Sequence, residues 1–113
     1  MTTATTPLSL SLNLPTLQLG GAYGWVDVTD AECLLLKALA HSAEQRLDTA
    51  GMLECVGKPA DHGGKHALEV QIVRLRKKLA QAGAKGPTIK VIRKFGYQLC
   101  VPLAINSSFP GQS

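Results

Sequence analysis

Positively charged side chains are concentrated in one continuous stretch of the sequence. Residues 58–98 hold ten of the twelve Lys and Arg residues and two carboxylates, whereas residues 1–57 hold two of the cations and six carboxylates. Such asymmetry is typical of a surface that binds a polyanion, and a merely solvated basic surface is the alternative. Aromatic residues make up only 4% of the chain, which disfavours modules that stack nucleic-acid bases on aromatic side chains.

Other kinds of chemistry find little support in the sequence. No nucleophile–base pair or pair of carboxylates stands out, so an enzyme is not expected. Cys55, His62 and His66 could contribute to a metal site, but their spacing matches no standard zinc pattern, and we expect neither a metal nor another cofactor. The three cysteines, which include Cys33 and Cys100, lie in apolar contexts, and we expect them to be reduced and buried.

No segment predicts export or membrane insertion. Residues 1–7 are polar and lack the basic start of a secretory signal. The longest apolar run, residues 33–40, is interrupted by Lys37 and is far shorter than the ~18 residues that a membrane span needs. We therefore expect a cytoplasmic protein with no membrane partner.

The length of 113 residues suits a single domain. Ser, Thr, Gly and Pro are frequent at both ends, so we predict disordered tails at residues 1–7 and 106–113 and one domain at residues 8–105.

Local patterns predict the elements of the first half. Residues 8–28 contain three short runs of alternating apolar residues, which predict a small antiparallel sheet. Thr29 followed by Glu32 forms the capping-box pattern at the start of a first helix. A second helix is predicted to begin at residue 48 or 49 and to run to about residue 56, and residues 58–64 are predicted to form a loop.

The third helix has the clearest pattern and is predicted over residues 65–82, with Gly83 as its C-terminal cap. Apolar residues at helical spacing form one stripe that should face the core; they are Leu68, Ile72, Leu75, Leu79 and Ala82. A rotation of 100° per residue places another set on the opposite face: His66, Val70, Val73, Arg74, Lys77 and Gln81. Two exposed valines on a basic face suggest contact with something partly apolar, such as thymine methyl groups.

Two further strand patterns follow at residues 88–93 and 97–101, joined by a short turn that contains Gly96. A basic hairpin directly after a basic helix is typical of a winged-helix protein. Tyr97 is expected to pack against the sheet, and Trp25 to lie in the core or on a sheet surface.

Motifs in four places resemble the effector domain of OmpR/PhoB-type response regulators. Residues 28–32 and the leucines that follow are similar to the family's LTxxE…LL…L helix start, and residues 47–53 are similar to its capped second helix. Residues 68–79 (LEVQIVRLRKKL) resemble VDVHIxxLRxKL, and residues 91–97 (VIRKFGY) resemble VRGxGY. The resemblance spans about residues 8–103.

This resemblance implies a winged helix-turn-helix fold of the α+β class, with a four-stranded N-terminal sheet, three helices and a C-terminal β-hairpin wing. It implies a bacterial, sequence-specific transcription regulator that binds double-stranded DNA, with the third helix in the major groove and the wing at the minor groove. Family members commonly bind as tandem dimers on direct repeats, and the loop at residues 57–64 often touches RNA polymerase. The family's receiver domain is not expected within these 113 residues.

The sequence departs from the family pattern at five positions. His66 replaces a usual arginine, Glu69 and Gln71 replace the usual Asp and His, Val73 stands where a basic residue is frequent, and Lys94 replaces the first glycine of the wing turn. These changes concern base preference rather than the fold.

Within the predicted recognition helix, Arg74 matches a family position that contacts DNA. A bidentate arginine–guanine contact would discriminate between bases by ~1–3 kcal/mol. Arg76 and Lys77 are predicted to contact phosphates. His66 and Gln71 could reach bases or phosphates, and capping or packing is an equal alternative for Gln71.

The remaining predicted contacts involve valines and the wing. Val70 and Val73 are candidates for thymine-methyl contacts or for a protein-interaction patch. Arg93 matches the family's wing arginine and suits a narrow minor groove, with Lys90 and Lys94 on nearby phosphates. The full predicted DNA-binding set is Lys65, His66, Val70, Gln71, Val73, Arg74, Arg76, Lys77, Lys90, Arg93 and Lys94.

Two alternative functions remain open from the sequence. A winged helix can bind RNA polymerase or another regulator instead of DNA, because a fold does not determine a function. Redox sensing through the cysteines is a third hypothesis, although thiols in apolar surroundings usually react slowly.

Overall fold

The computed structural model describes residues 10–107, so the predicted tail at residues 1–7 and residues 108–113 lie outside the described part of the chain. Three strands precede the three helices and three strands follow them, with one further strand between α1 and α2, in an α+β arrangement, as predicted. The elements are β1 (Leu10–Asn13), β2 (Gln18–Gly21), β3 (Gly24–Asp27), α1 (Asp30–His41), β4 (Arg46–Asp48), α2 (Thr49–Cys55), α3 (His62–Ala82), β5 (Ile89–Ile92), β6 (Gly96–Leu99) and β7 (Leu103–Asn106).

The first sheet has the strand order β3-β2-β1-β7. Its three N-terminal strands are antiparallel, as the alternating pattern predicts. The fourth strand differs from the implied N-terminal sheet, because β7 comes from the C-terminal end of the chain and pairs parallel to β1, with Leu103 opposite Leu10. The two ends of the domain are therefore joined by backbone hydrogen bonds.

The second sheet contains the predicted hairpin, β5 and β6, and one strand that the sequence did not predict. Its order is β4-β6-β5, in which Leu47 of β4 lies opposite Tyr97 of β6. Gly96 permits this close approach, since a Cβ atom there would overlap the carbonyl oxygen of Leu47. Strand β4 thus attaches one side of the hairpin to the domain and leaves β5 at the outer edge.

The capping residues of the first two helices are those predicted. Thr29 accepts a hydrogen bond from the backbone N–H of Glu32, and the Glu32 carboxylate accepts one from the backbone N–H of Thr29 at 2.8 Å. Asp48 caps α2 by accepting a hydrogen bond from the N–H of Gly51 at 2.9 Å. These contacts satisfy N–H groups that a helix start leaves without intrahelical partners.

Helix α3 begins three residues earlier than predicted, at His62, so residues 62–64 are its first turn and not the end of a loop. The two glycines in this turn favour a loop by propensity. The side chain of Asp61 overrides that preference, because it caps the helix by accepting a hydrogen bond from the N–H of Gly64 at 2.8 Å.

The neighbouring glycines of this turn should respond in opposite ways to alanine. A Cβ on Gly64 would overlap the Pro59 carbonyl oxygen, whereas a Cβ on Gly63 would lie 3.6 Å from its nearest neighbour, the Asp61 carboxylate. We expect Gly64→Ala to lower the free energy of unfolding by about 2 kcal/mol through overpacking, and Gly63→Ala to raise it by about 0.5 kcal/mol through helix propensity. Urea denaturation measures both, and equal shifts would contradict this placement of the helix start.

The core lies between the two sheets and the three helices. Every member of the predicted α3 stripe is buried, which confirms that pattern. The stripe packs with leucines of α1 and the first sheet and with Met52 and Leu53 of α2. Burial of this stripe fixes which face of α3 is left for solvent.

Predictions for three residues outside the helices had mixed outcomes. Tyr97 is buried at 9% exposure, as expected, and Trp25 lies on the surface of the first sheet with 58% exposure. The expectation of buried cysteines is correct for Cys33 and wrong for Cys100, which is exposed, while Cys55 is half-buried. Cys100 follows the last residue of β6, where alternation turns Leu99 inward and the thiol outward.

Candidate nucleic-acid interface

The outer face of α3 carries the predicted cationic and apolar side chains. His66, Val73, Arg74 and Lys77 are all exposed on it, and Val70 is exposed at 36%. Within residues 10–107 the side chain of Arg74 has no hydrogen-bond or ion-pair partner. A straight helix of this length extends about 30 Å, so α3 presents a long basic edge on which Arg74 is available to contact a ligand.

The start of α3 contains the other polar candidates. The His66 Nδ1 atom lies 3.9 Å from the Glu69 carboxylate, and both side chains are well exposed. Gln71 is half-buried on the flank of the helix, whereas Lys65 is exposed. The Glu69 carboxylate therefore faces one predicted DNA contact and reduces the positive charge at this end of the helix.

The wing turn presents a second basic group. Lys90, Arg93 and Lys94 are exposed on β5 and on the turn that follows it. The N–H of Phe95 donates to the carbonyl of Ile92 at 3.0 Å and closes the turn. The turn thus projects Arg93 and Lys94 from the end of the hairpin.

Lys94 adopts the left-handed conformation, with a φ of 61°, at the position where the family pattern has glycine. A non-glycine residue there costs about 1 kcal/mol. We expect Lys94→Gly to raise the free energy of unfolding by about that amount in urea denaturation, and to weaken DNA binding through loss of a cation. Lys90→Gly is the matched control: in the extended β5 it should lower stability, and a rise in both variants would contradict strain at Lys94.

Arg76 and Lys78 hold α3 to the rest of the domain from its two flanks. Arg76 is half-buried, and its Nε donates to the carbonyl of Ile89 in β5 at 2.9 Å. Lys78 donates to the buried carboxylate of Glu32 at 2.6 Å. The sequence did not predict these two contacts, because their partners lie on elements distant in the chain.

Two buried acidic groups next to α3 have shifted pKa values. Burial opposes ionisation of Glu32, but hydrogen bonds from Lys78 and Thr29 and the positive charge of Lys78 outweigh it, so the pKa of this carboxyl is lowered. Burial, helped by the charge of Glu69, raises the pKa of Tyr97, and the charge of Arg76 partly offsets this. The phenol therefore stays neutral beside the wing.

The predicted residues lie on α3 and the wing, which are joined by the hydrogen bond from Arg76 to Ile89; Gln71 and Arg76 are half-buried and the others are exposed. The structure also shows apolar groups that the sequence pattern did not single out on the wing, since Val91 is 61% exposed and Phe95 45% exposed. Across residues 10–107 no three His, Cys, Asp or Glu side chains gather as metal ligands would. No helix in this range is long and apolar enough to cross a membrane.

The family profile described as "Transcriptional regulatory protein, C terminal" matches residues 24–99, which is more than half of the chain. The chain belongs to this family, the OmpR/PhoB-type effector domains. None of the curated protein sequences compared with the chain matches it significantly.

Solved structures of this kind of domain are similar to the effector domain described here. The DNA-binding domain of Klebsiella pneumoniae RstA in complex with the RstA box is 27% identical with a TM-score of 0.65, covering 85% of this chain and 94% of that one. The DNA-binding domain of Escherichia coli CpxR is 24% identical with a TM-score of 0.65, covering 95% and 100%. That of Bacillus subtilis CssR is 20% identical with a TM-score of 0.64, covering 80% and 99%, and these last two likenesses concern the fold alone.

Proposed function

We propose that this effector domain regulates transcription by binding a specific sequence of double-stranded DNA, with α3 in the major groove and the β5–β6 wing at a neighbouring minor groove. The observation that carries the proposal is the position of Arg74, which is exposed at the middle of α3 without a side-chain partner among residues 10–107. The similar DNA-binding domain of Klebsiella pneumoniae RstA, in complex with the RstA box, supports it by likeness.

The proposed contacts are of two kinds: some recognise bases, and the others bind the DNA backbone and position the domain. Arg74 has the forked guanidinium that recognises guanine, and Val70 and Val73 present methyl groups to thymine. The remaining cations contribute affinity without sequence information; they are Lys65, Lys77, Lys90 and Lys94. Arg93 would enter the minor groove, and His66 and Gln71 would contact bases or phosphates near the start of α3.

Selection from a pool of random duplex DNA, sequenced after binding at two salt concentrations, tests this function. A recurring motif at both salt concentrations is expected, with an affinity that falls steeply as salt rises. Weak binding without a motif, lost at the higher salt, would leave only a general polyanion surface. Lys37→Ala, an exposed lysine on α1, is the control that should not change the motif.

We also propose that two copies bind head to tail on direct repeats. Tyr23, beside β3, and Trp25, on β3, are 70% and 58% exposed at one edge of the first sheet, and Val91 and Phe95 are exposed on the wing. Two different exposed apolar surfaces suit a head-to-tail contact, which direct repeats require. Cooperative binding to a duplex with two motif copies, compared with one copy, would support this, and independent binding would oppose it.

A second candidate function is binding to RNA polymerase through residues 57–64. A shallow concavity of about 500 Å³ beside this segment is lined by Glu54, Lys58 and Ala60, among others. Purified polymerase should retain the domain without DNA, and Glu54→Ala should weaken retention while Lys77→Ala should not. No retention in the absence of DNA would remove this candidate.

A further inference from the structure

The hydrogen bond from Arg76 to Ile89 joins the two DNA-facing elements directly. Within residues 10–107 it is the one hydrogen bond between α3 and the wing hairpin. Ile89 opens β5, which is the outer strand in the order β4-β6-β5. The inner side of the hairpin is held by β4, and directly after β4 the backbone N–H of Thr49, the first residue of α2, donates to the carbonyl of Phe95 at 3.0 Å. The side chain of Ile89 on the outer strand is buried in the same core as the α3 stripe, and Arg76 adds a directional hydrogen bond between this strand and α3.

The covalent connection between α3 and β5 does not fix that distance by itself. Residues 83–88 form the connection, and it contains Gly83 and Gly86, both at positive φ. Glycine at such positions leaves the backbone more conformational freedom than any other residue. The hydrogen bond from Arg76 to Ile89 spans this connection and adds a fixed contact between the helix and the wing.

We propose that Arg76 is a positioning residue that holds the wing against the recognition helix and that its guanidinium is not a phosphate contact. This inference rests on the proposed function, since it concerns how the two DNA-facing elements are held together. The Nε of Arg76 is engaged by the Ile89 carbonyl and its side chain is half-buried, whereas Arg74 and Lys77 are exposed on the outer face of α3. With Arg76 in place, insertion of α3 into the major groove brings Arg93 to a defined point at the minor groove, so the two contacts are coupled.

Two variants of Arg76 separate the hydrogen bond from the charge. The Nε2 of glutamine is as many bonds from Cα as the Nε of arginine, so Arg76→Gln keeps a donor and loses the charge. Arg76→Met keeps a comparable chain length and loses both. Lys77→Met, on the exposed face of the same helix, is the control for loss of a cation alone.

Hydrogen exchange of the free protein tests the positioning role without DNA. Arg76→Met should speed exchange of the β5 and β6 amides about tenfold, as expected for loss of a charge-assisted hydrogen bond, while core amides of α3 stay protected. Arg76→Gln and Lys77→Met should resemble the wild-type chain. Unchanged wing exchange in Arg76→Met would overturn the proposal whether or not the domain binds DNA.

DNA binding across a salt series tests the second half of the proposal. A phosphate contact would make Arg76→Gln and Arg76→Met equally weak, each with a salt slope reduced by about one, as expected for Lys77→Met. A positioning role predicts that Arg76→Gln keeps most of the affinity and the slope. It also predicts that Arg93→Ala weakens DNA binding when Arg76 is present. In a chain that already carries Arg76→Met, Arg93→Ala should cause little further loss of affinity. If Arg93→Ala has no effect in the wild type, the wing role in the proposed function fails, and the exchange experiment still decides on Arg76.

Discussion

Replacement of Arg74 by alanine is expected to reduce affinity for the selected DNA motif by about ten- to hundredfold while affecting random duplex far less. A bidentate arginine–guanine pair contributes ~1–3 kcal/mol of base discrimination, and the exposed guanidinium of Arg74 has no partner within the described residues that it would have to give up. Competition binding with the motif, motif variants and random duplex measures the ratio directly. The base opposite Arg74 should lose its preference while the other positions keep theirs.

Arg74→Lys is the charge-matched control for this experiment. Lysine keeps the positive charge but lacks the planar fork of arginine, so it should retain affinity for random duplex and lose discrimination. Lys77→Ala should instead weaken binding to all sequences alike and reduce the salt slope by about one. If Arg74→Ala and Lys77→Ala lowered affinity equally on the motif and on random DNA, the base-reading role of Arg74 would be wrong.

The positions of these side chains could be predicted because α3 is long and strongly periodic. The buried stripe of α3 fixes the rotation of the helix, so the opposite face follows from 100° per residue. Capping was equally local: Thr29 and Glu32 are three residues apart, and their reciprocal hydrogen bonds depend on little else. The wing hairpin followed from two short strand patterns around a glycine.

Features that join distant parts of the chain could not be predicted in the same way. Strand β4 has only three residues, too few for a periodic signal, and β7 is defined by its pairing with β1 at the other end of the chain. Their pairing partners, β6 and β1, lie far away in sequence. The start of α3 was missed because Gly63 and Gly64 favour a loop by propensity, whereas Asp61 caps them into a helix.

The contact of Arg76 with the wing is another feature that joins distant parts of the chain and could not be predicted from the sequence. The sequence position of Arg76, beside Lys77 in a basic helix, predicts a phosphate contact as readily as any other. Only the packing of the hairpin against α3 places the Ile89 carbonyl within 2.9 Å of its Nε. The exposure of residues at the centre of a helical face therefore follows from the sequence, whereas the contacts of residues at its flanks do not.

The largest expected effect on stability comes from Glu32, whose carboxylate is 2% exposed and accepts hydrogen bonds from Lys78 and from the backbone of Thr29. Glu32→Gln keeps the shape and an acceptor oxygen but leaves the Lys78 ammonium without its counter-charge. Removing one partner of a buried ion pair costs about 3 kcal/mol at the lower end of the usual range, which suits a lysine that is 26% exposed. Urea denaturation at pH 7 measures the loss.

Two controls separate the buried charge from a general effect of removing a carboxylate. Glu44→Gln removes the acid of an exposed pair with Arg46, at 3.8 Å, and should cost less than about 1 kcal/mol. Combining Glu32→Gln with Lys78→Met should recover part of the lost stability, because no uncompensated charge then remains. If the double variant lost more free energy of unfolding than the two single variants lose together, this account would be wrong.

The pH dependence of the Glu32→Gln effect follows from the sign of the pKa shift. The pKa of Glu32 is lower in the folded protein than its ordinary value, which is about 4.3 in an unfolded chain. The ionised carboxylate therefore stabilises the fold fully above the unfolded pKa, and this contribution is lost as the pH falls through the folded pKa. The difference in free energy of unfolding between the wild-type chain and Glu32→Gln should be constant from about pH 6 to 8. It should become smaller as the pH drops below about 4. A difference that stayed the same at low pH would mean that the shape of Glu32, rather than its charge, holds α1 to the recognition helix.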